Sequence, residues 1–490
     1  MKFTVRDMDI ATGGIHIAIL NEHDAKLLDL HMGDRIIIKG HPRELTCILD
    51  VAKSHKAMPC GEIGLFEEAL AALKLKQGDA VTIRFTGKPA SVEFIREKLL
   101  GTPLPYRKFF EIINDITHDR LTDIEKTYFV AACYTHGLSN KEIIDLTKAM
   151  VNTGDKLNFG KMVLDKHCIG GVAGNRTTML VIPIIASLGF TIPKTSSRAI
   201  TSPAGTADTM ECLANVELNE KQIKAVVKKT GACMVHGGAM SLAPADDKII
   251  DVEHPLSIDA EGQLLASVMA KKYSVGSTHV LIDIPMGKST KAKTPKEAAH
   301  LKEMFEMLGK HLGMKVKVIA SDGSHPIGYG IGPLLEALDV MAVLENKLDA
   351  PQELKEKAIE MAGTLLELTG KVKNPMQVAR HSLESGQALK KMNEIIDAQG
   401  RQKPMQKAKF HYQVFAPKSG KIIEVDNETI AKIARVAGCP TDKAAGLYLH
   451  KNVGSKVTKG EPLYTVYSQN KLKLDLTKVV TKETNAYTIK

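Results

Sequence analysis

Alternation of apolar and polar positions marks the first part of the chain. Short alternating stretches at 14–19 and 34–38 are bounded by glycine and aspartate, a pattern typical of β-strands joined by turns. The segment 76–83 repeats the pattern of 32–38, and this weak internal repeat is consistent with a small pseudo-symmetric barrel. We therefore predict a small N-terminal β-rich domain over residues 1–87.

From Ser91 onward the spacing of apolar positions becomes helical. The run Ser139-Asn140-Lys141-Glu142 has the form of a capping box, and the apolar positions after it predict a helix that stops near Gly154. We predict a helical domain over residues 88–160, completed by part of 190–225.

Short β-rich runs then alternate with amphipathic helices. Strands are predicted at 280–284 and 316–319, with a helix between them at 295–308. Such alternation is typical of an α/β layer with a largely parallel or mixed sheet. We predict an α/β domain over residues 161–400, whose segment 375–400 is again helical.

After a polar, lysine-rich linker the pattern returns to strands. Residues 414–422 and 457–464 have the composition of hairpin-forming pieces and resemble the halves of a lipoyl-like sandwich. Neither Lys418 nor Lys443 has the sequence context of a swinging-arm lysine, so a structural role is expected. We predict a C-terminal α+β domain over 401–490, and for the whole chain a multidomain α/β fold.

Composition narrows the class of protein. A chain of 490 residues is too long for one core, and 44% hydrophobic with 25% charged residues is typical of globular proteins. Aromatic residues make up 4% and tryptophan is absent, which disfavours stacking platforms for single-stranded nucleic acid. The net charge of +10 favours anionic partners, but the lysines are scattered, as on an ordinary solvated surface.

The seven cysteines are odd in number and widely spaced, without a C-x-x-C pair. This pattern indicates neither a zinc ribbon nor a disulfide framework, and it fits a reducing compartment. The apolar run 179–190 contains Pro183 and is too short to span a membrane. We expect a cytoplasmic protein with no membrane contact, no metal and no cofactor.

The stretch 165–178 carries the most specific chemistry. Lys166, a cluster of glycines and two hydroxyl residues come just before an apolar run. Glycines let backbone N–H groups approach a ligand, and a helix that begins after such a loop offers its positive end to an anion. The stretch predicts a phosphate cradle, although it contains no Walker motif.

Three further clusters carry polar groups. Residues 194–208 combine hydroxyl side chains with Arg198, which indicates an oxyanion site or, alternatively, a hydroxyl-rich helix cap. Asp259 precedes a helix with Ser267 on one face, and it is either functional or a plain N-cap. The lysines of 287–291 follow a strand and either meet a substrate phosphate or are solvated.

Together these clusters resemble the thymidine phosphorylase family, and more closely its AMP phosphorylase branch. Residues 166–171 are similar to the family's K-H-S-x-G-G phosphate loop, and 197–202 (SRAITS) followed by 205–208 matches the branch motif. Residues 242–246 and 266–272 are further family blocks. The resemblance covers nearly the whole chain.

The resemblance implies reversible phosphorolysis, in which inorganic phosphate displaces a base from C1′ of a ribose through an oxocarbenium-like sugar. Positioning and preorganised charge accomplish this without metal or cofactor. The expected partners are a nucleotide or nucleoside, phosphate, and a second copy of the chain in a homodimer or larger homo-oligomer.

The resemblance also implies a role for each residue that matches a family motif. Lys166, Thr177 and Ser196 are expected to hold phosphate, together with Thr206. Asp259 is expected to protonate the leaving base, which requires a carboxyl whose pKa is raised against the helix dipole. The residues expected to contact the nucleotide are Gly171, Ser197, Arg198, Ala199, Ile200, Thr201, Ser202, Thr206, Ser267 and Lys291.

Two departures from the family pattern affect the expected substrate and geometry. Cys168 stands where the family has serine, and a thiol is a weaker hydrogen-bond donor than a hydroxyl. The run 254–257 lacks the arginine with which pyrimidine-nucleoside enzymes bind the base. We therefore expect phosphorolysis of AMP to adenine and ribose 1,5-bisphosphate, with thymidine as the alternative substrate.

Two other hypotheses compete with a phosphorylase. A phosphoribosyltransferase of related fold would need Mg²⁺, for which Asp246-Asp247 is the one acidic pair that the sequence offers. A basic nucleic-acid-binding protein built on a degenerate enzyme is less favoured, and it would bind RNA with a steep dependence on salt.

Overall fold

A computed structural model describes residues 1–199, 202–239, 242–253, 255, 258 and 260–490. The described chain divides into two compact units. The first unit contains residues 1–149 and 245–262, and the second contains 150–244 and 263–490. The four-domain division made from the sequence stays a prediction.

The first unit begins with a closed barrel, as the internal repeat predicts. Alternate residues such as Val5 and Ile36 point into its core, and closure leaves no open sheet edge. Around the barrel the strand order is β1-β5-β2-β4-β3-β6. Its elements are β1 (Lys2–Asp7), β2 (Ile17–Asn21), α1 (Glu22–Leu27), β3 (Arg35–Lys39), β4 (Glu44–Ala52), β5 (Glu62–Leu65), α2 (Glu67–Leu73) and β6 (Ala80–Phe85).

Helices follow the barrel. The capping box predicted at Ser139 is confirmed: Ser139 N donates to Glu142 Oε2 at 2.9 Å, and Glu142 N donates to Ser139 Oγ at 3.3 Å. Glu142 also pairs with the buried Lys98 at 2.8 Å, which ties two helices together. The helices are α3 (Ser91–Leu99), α4 (Tyr106–Thr117), α5 (Asp123–His136) and α6 (Asn140–Asn152).

The second unit alternates strands and helices, as the sequence pattern predicts. Strands β11, β10 and β7 form a parallel sheet, β8 and β9 form a parallel pair, and a bridge between Val163 and Thr191 links the two. The elements of this unit are β7 (Leu164–Cys168), α7 (Thr177–Ser187), β8 (Ile192–Ser196), α8 (Thr206–Glu211), α9 (Glu220–Thr230), β9 (Ala232–His236), a 3₁₀ turn (Gly237–Ala239), α11 (Glu261–Ser274), β10 (His279–Met286), α12 (Pro295–His311), β11 (Lys315–Asp322), β12 (Gly330–Ile331), α13 (Pro333–Leu344), α14 (Gln352–Thr369), α15 (Pro375–Glu384) and α16 (Gln387–Gln399). Helix α10 (Pro244–Glu253), which the chain enters between the 3₁₀ turn and α11, belongs to the first unit apart from Pro244.

Helix α7 lies in the centre of this unit. Its residues are buried on every side, as expected for a helix that is apolar all round. The segment 375–400 is helical, as predicted, and it consists of two helices because Gly386 takes a left-handed conformation with φ +81° between them.

The C-terminal region contains two small sheets, with strand orders β12-β15-β17-β13 and β16-β14-β18. The two predicted hairpin-forming stretches pair antiparallel with each other: β13 pairs with β17 at Val414 and Tyr464, and β14 pairs with β16 at Gly420 and Val457 and also with β18. The stretch 414–422 thereby leads from one sheet into the other. The lipoyl-like arrangement stays a prediction. The elements are β13 (Phe410–Phe415), β14 (Gly420–Val425), α17 (Asn427–Ala437), β15 (Gly446–Leu449), β16 (Lys456–Val457), β17 (Pro462–Ser468), α18 (Lys471–Glu483) and β18 (Tyr487–Ile489).

Among the described helices, none combines the length and the hydropathy that a membrane span requires.

Candidate active site

Lys166 lies in the middle of β7, and its side chain reaches the first turn of α7. Its Nζ donates to Thr177 Oγ1 at 2.9 Å and to Thr178 Oγ1 at 3.4 Å, and the residue is only 1% exposed. The geometry places a fixed cation beside a helix N-terminus, where backbone N–H groups lack helical partners. This arrangement is suited to an anion.

A buried aspartate on the neighbouring strand supports Lys166. Asp283 Oδ2 lies 3.7 Å from Lys166 Nζ and 3.8 Å from Nζ of Lys357, which comes from α14. Burial alone would raise the pKa of Asp283, but the two ammonium groups hold it below its ordinary value. One carboxylate between two cations leaves a local excess of positive charge. Lys357 and Asp283 were not identified from the sequence.

The opposite face of β7 repeats this arrangement. Asp165 lies 3.4 Å from Lys194 on β8 and 2.8 Å from Lys272 on α11. Burial lowers the pKa of Lys194 to about 7, against the attraction of Asp165, and Lys272 lowers it further. Because Lys272 anchors α11 to β7, the structure brings the helix that carries Ser267 next to the strand that carries Lys166.

His167 and Cys168 are both uncharged near neutral pH. Burial lowers the pKa of His167 well below its usual value, and Lys272 and Lys194 lower it further. Burial, with the charge of Asp283, raises the pKa of the Cys168 thiol to about 11. Cys168 is thus a protonated, weak donor in the place of the family serine, and not a thiolate nucleophile.

The glycine loop, residues 168–176, packs against the loop 287–291. Gly171 has φ +92°, and a Cβ at this position would lie 2.6 Å from Thr290 Cα. Only glycine permits both the conformation and the close approach. The structure thereby places two of the predicted clusters side by side, although Lys291 itself is exposed.

The hydroxyl loop, residues 197–206, joins β8 to α8. Ser196 ends β8 with its Oγ 3.4 Å from Val235 O, while Ser197 and Ser202 are exposed to solvent. Thr206 begins α8. The predicted site residues Ile200, Thr201 and Asp259 lie outside the described residues.

Arg198 is surrounded by carboxylates. Its guanidinium donates to Glu211 at 2.8 and 2.9 Å, to Glu217 at 2.7 Å and to Asp208 at 3.3 Å. The bonds to Glu211 are the main cause that raises the pKa of Arg198 further. The guanidinium N–H groups that were expected to contact the nucleotide are thus bonded to carboxylates. To bind substrate, Arg198 would have to give up some of these bonds. That role of Arg198 stays a prediction.

Arg176, which the sequence analysis did not select, connects the glycine loop to the hydroxyl loop. It pairs with the buried Glu336, donates to the carbonyl of Ala204 and lies 3.5 Å from Thr206 Oγ1. Arg176 comes directly before Thr177 and Thr178, the hydroxyl pair that starts α7, and this position in the sequence could have identified it as a site residue. The expected phosphate residues Lys166 and Thr206 therefore belong to one connected site.

Within the part of the chain that the structure describes, no group of three or more histidine, cysteine, aspartate or glutamate side chains is arranged to hold a metal ion.

Three parts of the chain match known domain families. Residues 92–154 match the helical bundle domain of the glycosyl transferase family, and residues 160–389 match its a/b domain. Residues 421–490 match the pyrimidine nucleoside phosphorylase C-terminal domain. Fold and site thus define a glycosyl transferase, and the predicted combination of a helical, an α/β and a C-terminal domain is confirmed at this level.

Similar proteins cover nearly the full length. The chain is 43% identical to an AMP phosphorylase of Methanococcus vannielii, over 96% of this chain and 93% of the relative. It is 42% identical to an AMP phosphorylase of Thermofilum pendens, over 94% and 89%. A Legionella pneumophila protein provisionally named thymidine phosphorylase is 45% identical over 89% and 85%. The chain belongs to the thymidine phosphorylase family of pentosyltransferases, as the sequence motifs predict.

A solved structure supports the fold. The crystal structure of anthranilate phosphoribosyltransferase from Thermus thermophilus aligns with 62% of this chain and 98% of its own, with a TM-score of 0.52 and 18% identity. At this level of identity the likeness concerns the fold alone.

Proposed function

We propose that this enzyme uses inorganic phosphate to cleave the N-glycosidic bond of AMP, releasing adenine and ribose 1,5-bisphosphate. The observation that carries the proposal is the contact of Lys166 with Thr177 at the start of α7, with further lysines clustered behind it. A phosphate bound there needs a fixed positive charge, which Lys166 supplies at the positive end of α7.

In the proposed reaction, phosphate lies beneath C1′ while the bond to the base breaks. Lys166, Thr177 and Ser196 hold the phosphate, and Asp259 donates a proton to the departing base. Cleavage develops positive charge on the sugar, so the phosphate stabilises the transition state as well as attacking it. The nucleotide contacts are proposed for Gly171, Ser197, Arg198, Ala199, Ile200, Thr201, Ser202, Thr206, Ser267 and Lys291.

The choice of AMP rests on two observations. Relatives named AMP phosphorylase match along nearly their whole length, and residues 254–257 lack the arginine expected of an enzyme for pyrimidine nucleosides. Thymidine is the second candidate, since a relative of similar identity carries the thymidine phosphorylase name.

We also propose that the enzyme is a cytoplasmic homodimer or larger homo-oligomer. The family resemblance supports the oligomer, and seven unpaired cysteines are consistent with a reducing compartment.

Released base, measured with AMP, CMP, UMP, thymidine and uridine in phosphate buffer, tests the proposal. We expect AMP to give the highest kcat/KM, with activity that survives a metal chelator. Highest turnover of thymidine would replace AMP by the second candidate. Activity that requires Mg²⁺ and pyrophosphate would identify a phosphoribosyltransferase instead.

The acid assignment has its own test. Asp259→Asn is expected to abolish phosphorolysis because an amide cannot donate the required proton. Asp251→Asn, at an exposed position, is the matched control and is expected to retain activity. A rate within a few-fold of wild type for Asp259→Asn would show that another group protonates the base.

A further inference from the structure

Asn427, the first residue of α17, is bonded to the glycine loop. Its Oδ1 accepts a hydrogen bond from Ala173 N at 3.0 Å, and its Nδ2 donates to Gly323 O at 3.0 Å. Asn427 is 4% exposed, so both ends of its amide are used within the protein. Without it, the buried N–H of Ala173 loses its partner. Asn427 therefore fixes the loop that is proposed to hold phosphate.

Lys443, on the segment between α17 and β15, is bonded to the helix that follows the hydroxyl loop. Its Nζ lies 3.0 Å from Asp208 Oδ1 and 2.7 Å from Glu211 Oε2. Lys443 comes from a region of the chain far from these acidic residues in sequence. Lys443 is one point at which the C-terminal region holds α8.

Asp208 closes the hydroxyl loop. Its Oδ2 accepts hydrogen bonds from Ala199 N at 2.7 Å and from Gly205 N at 2.9 Å, one near each end of the loop. Burial alone would raise the pKa of Asp208, but the two amide donors and Lys443 hold it below its ordinary value. The carboxylate that closes the loop is therefore kept charged in part by Lys443.

We propose that residues 410–490, the C-terminal domain, position the two substrate loops separately: Asn427 sets the glycine loop and Lys443 sets the hydroxyl loop. Both are positioning residues, since each acts through a loop and not on a reacting atom. The assignment of a substrate to each loop rests on the proposed function: the glycine loop connects Lys166 to Thr177 and is assigned mainly to phosphate, whereas the hydroxyl loop carries residues 197–202 and is assigned mainly to the nucleotide. Each substitution is therefore predicted to weaken chiefly one substrate.

The test compares KM for AMP and for phosphate in full-length variants. Lys443→Met is expected to raise the KM for AMP roughly tenfold and leave the KM for phosphate within twofold, because a loosened loop binds its ligand less well. Asn427→Ala is expected to raise the KM for phosphate roughly tenfold and leave the KM for AMP within twofold. Lys443→Arg retains a cation for Asp208 and is expected to recover most of the affinity.

Two substitutions in the same domain serve as controls. Lys451→Met breaks a surface ion pair with Glu461, and Asn452→Ala removes an amide of the same type as Asn427. Both are expected to leave the two KM values unchanged. Equal rises in both KM values in Lys443→Met and Asn427→Ala would overturn the proposal, as would a fall in kcat alone, since either indicates general loss of structure.

Hydrogen exchange separates this proposal from the proposed function. Lys443→Met is expected to speed exchange in peptides that contain Ala199 and Gly205, and Asn427→Ala in peptides that contain Ala173. These changes do not depend on which substrate the enzyme uses. If wild type releases no base from any substrate, the proposed function fails while the exchange data still decide the positioning. Unchanged exchange in both variants would overturn it.

Discussion

At the scale of single residues, the distinctive feature is an excess of lysine around β7. On each face of the strand one buried aspartate is shared by two lysines: Asp283 by Lys166 and Lys357, and Asp165 by Lys194 and Lys272. Buried charges interact more strongly than exposed ones because water screens them less. The surplus positive charge is clearest around Asp283 and is suited to attract and hold an anion, whereas burial lowers the pKa of Lys194 to about 7 and makes its charge partial near neutral pH.

Restoring the family serine tests the role of residue 168. A hydroxyl donates a stronger hydrogen bond than the protonated thiol, so Cys168→Ser is expected to lower the KM for phosphate about fivefold. Phosphate KM at saturating AMP is the measurement, and Cys60→Ser in the barrel is the control that should show no change. A higher KM for phosphate would mean that the site requires the larger sulfur atom.

Lys194 predicts a specific dependence of stability on pH. Its pKa falls to about 7 in the folded protein. At pH values between about 7 and the ordinary pKa of lysine, Lys194 therefore carries a proton in the unfolded chain but not in the folded protein. The free energy of unfolding therefore gains a contribution that rises with pH in this window, by at most about 1.4 kcal/mol per unit.

Lys194→Met should remove that contribution. The measurement is the free energy of unfolding from urea denaturation at several pH values from 6.5 to 9. As pH rises, the free energy of unfolding of wild type is expected to increase relative to that of the variant. Lys221→Met, at an exposed position on α9, provides the control. Parallel stability curves for wild type and Lys194→Met would contradict the assigned pKa.

At the scale of elements, the glycine loop requires glycine for two reasons: a left-handed backbone conformation and a close contact with a neighbouring loop. Gly170 and Gly171 allow the two reasons to be tested separately. Gly170 and Gly171 both have positive φ, +94° and +92°. A Cβ on Gly170 meets no atom within 4 Å, whereas one on Gly171 meets the backbone of Thr290 and Ser289. The two positions therefore share conformational strain but differ in steric contact.

A pair of alanine substitutions uses this difference. Gly170→Ala is expected to cost about 1–2 kcal/mol in stability from left-handed strain. Gly171→Ala adds a clash that pushes the loop away from 287–291, and we expect kcat/KM to fall at least about tenfold more than in Gly170→Ala. Thermal unfolding and steady-state kinetics of both variants are the measurements. Equal activity in the two variants would show that the close contact is dispensable.

The elements also show what sequence can and cannot predict. The capping box at Ser139 and the existence of strands β10 and β11 followed from local spacing, because local side chains determine them. The pairing of Lys166 with Thr177 lies within one motif and was also accessible. Lys357 and Asn427 were missed because they reach the site from distant helices, and only tertiary packing brings them there. For the same reason local pattern did not reveal that β13 and β14 belong to different sheets.

At the scale of the whole molecule, the C-terminal domain shares its core with the α/β region. Ala173 and Ile331 lie in the same apolar cluster as Leu447 and Val466. Strand β12 pairs antiparallel with β15, so a piece of the α/β region is the edge strand of a C-terminal sheet. The domain is therefore integral to the second unit.

Removal of residues 410–490 tests this integration. The truncated chain loses the partner of β12 and exposes Ile331, which is fully buried in the intact protein. We expect it to aggregate on size-exclusion chromatography and to lose activity, because an open apolar edge promotes association. A monodisperse truncated protein with native activity would show that the catalytic region folds without this domain.

Strand β12 also bears on when the enzyme becomes active during its synthesis. A chain emerges from the ribosome with its N-terminal part first, and parts fold as their partners become available. The partner of Ile331 is Leu447, near the end of the chain, and Asn427 and Lys443 emerge in the same late stretch. The substrate loops are thus complete only after residues 427–447 have been made, so a nascent chain that lacks them is expected to bind its substrates poorly.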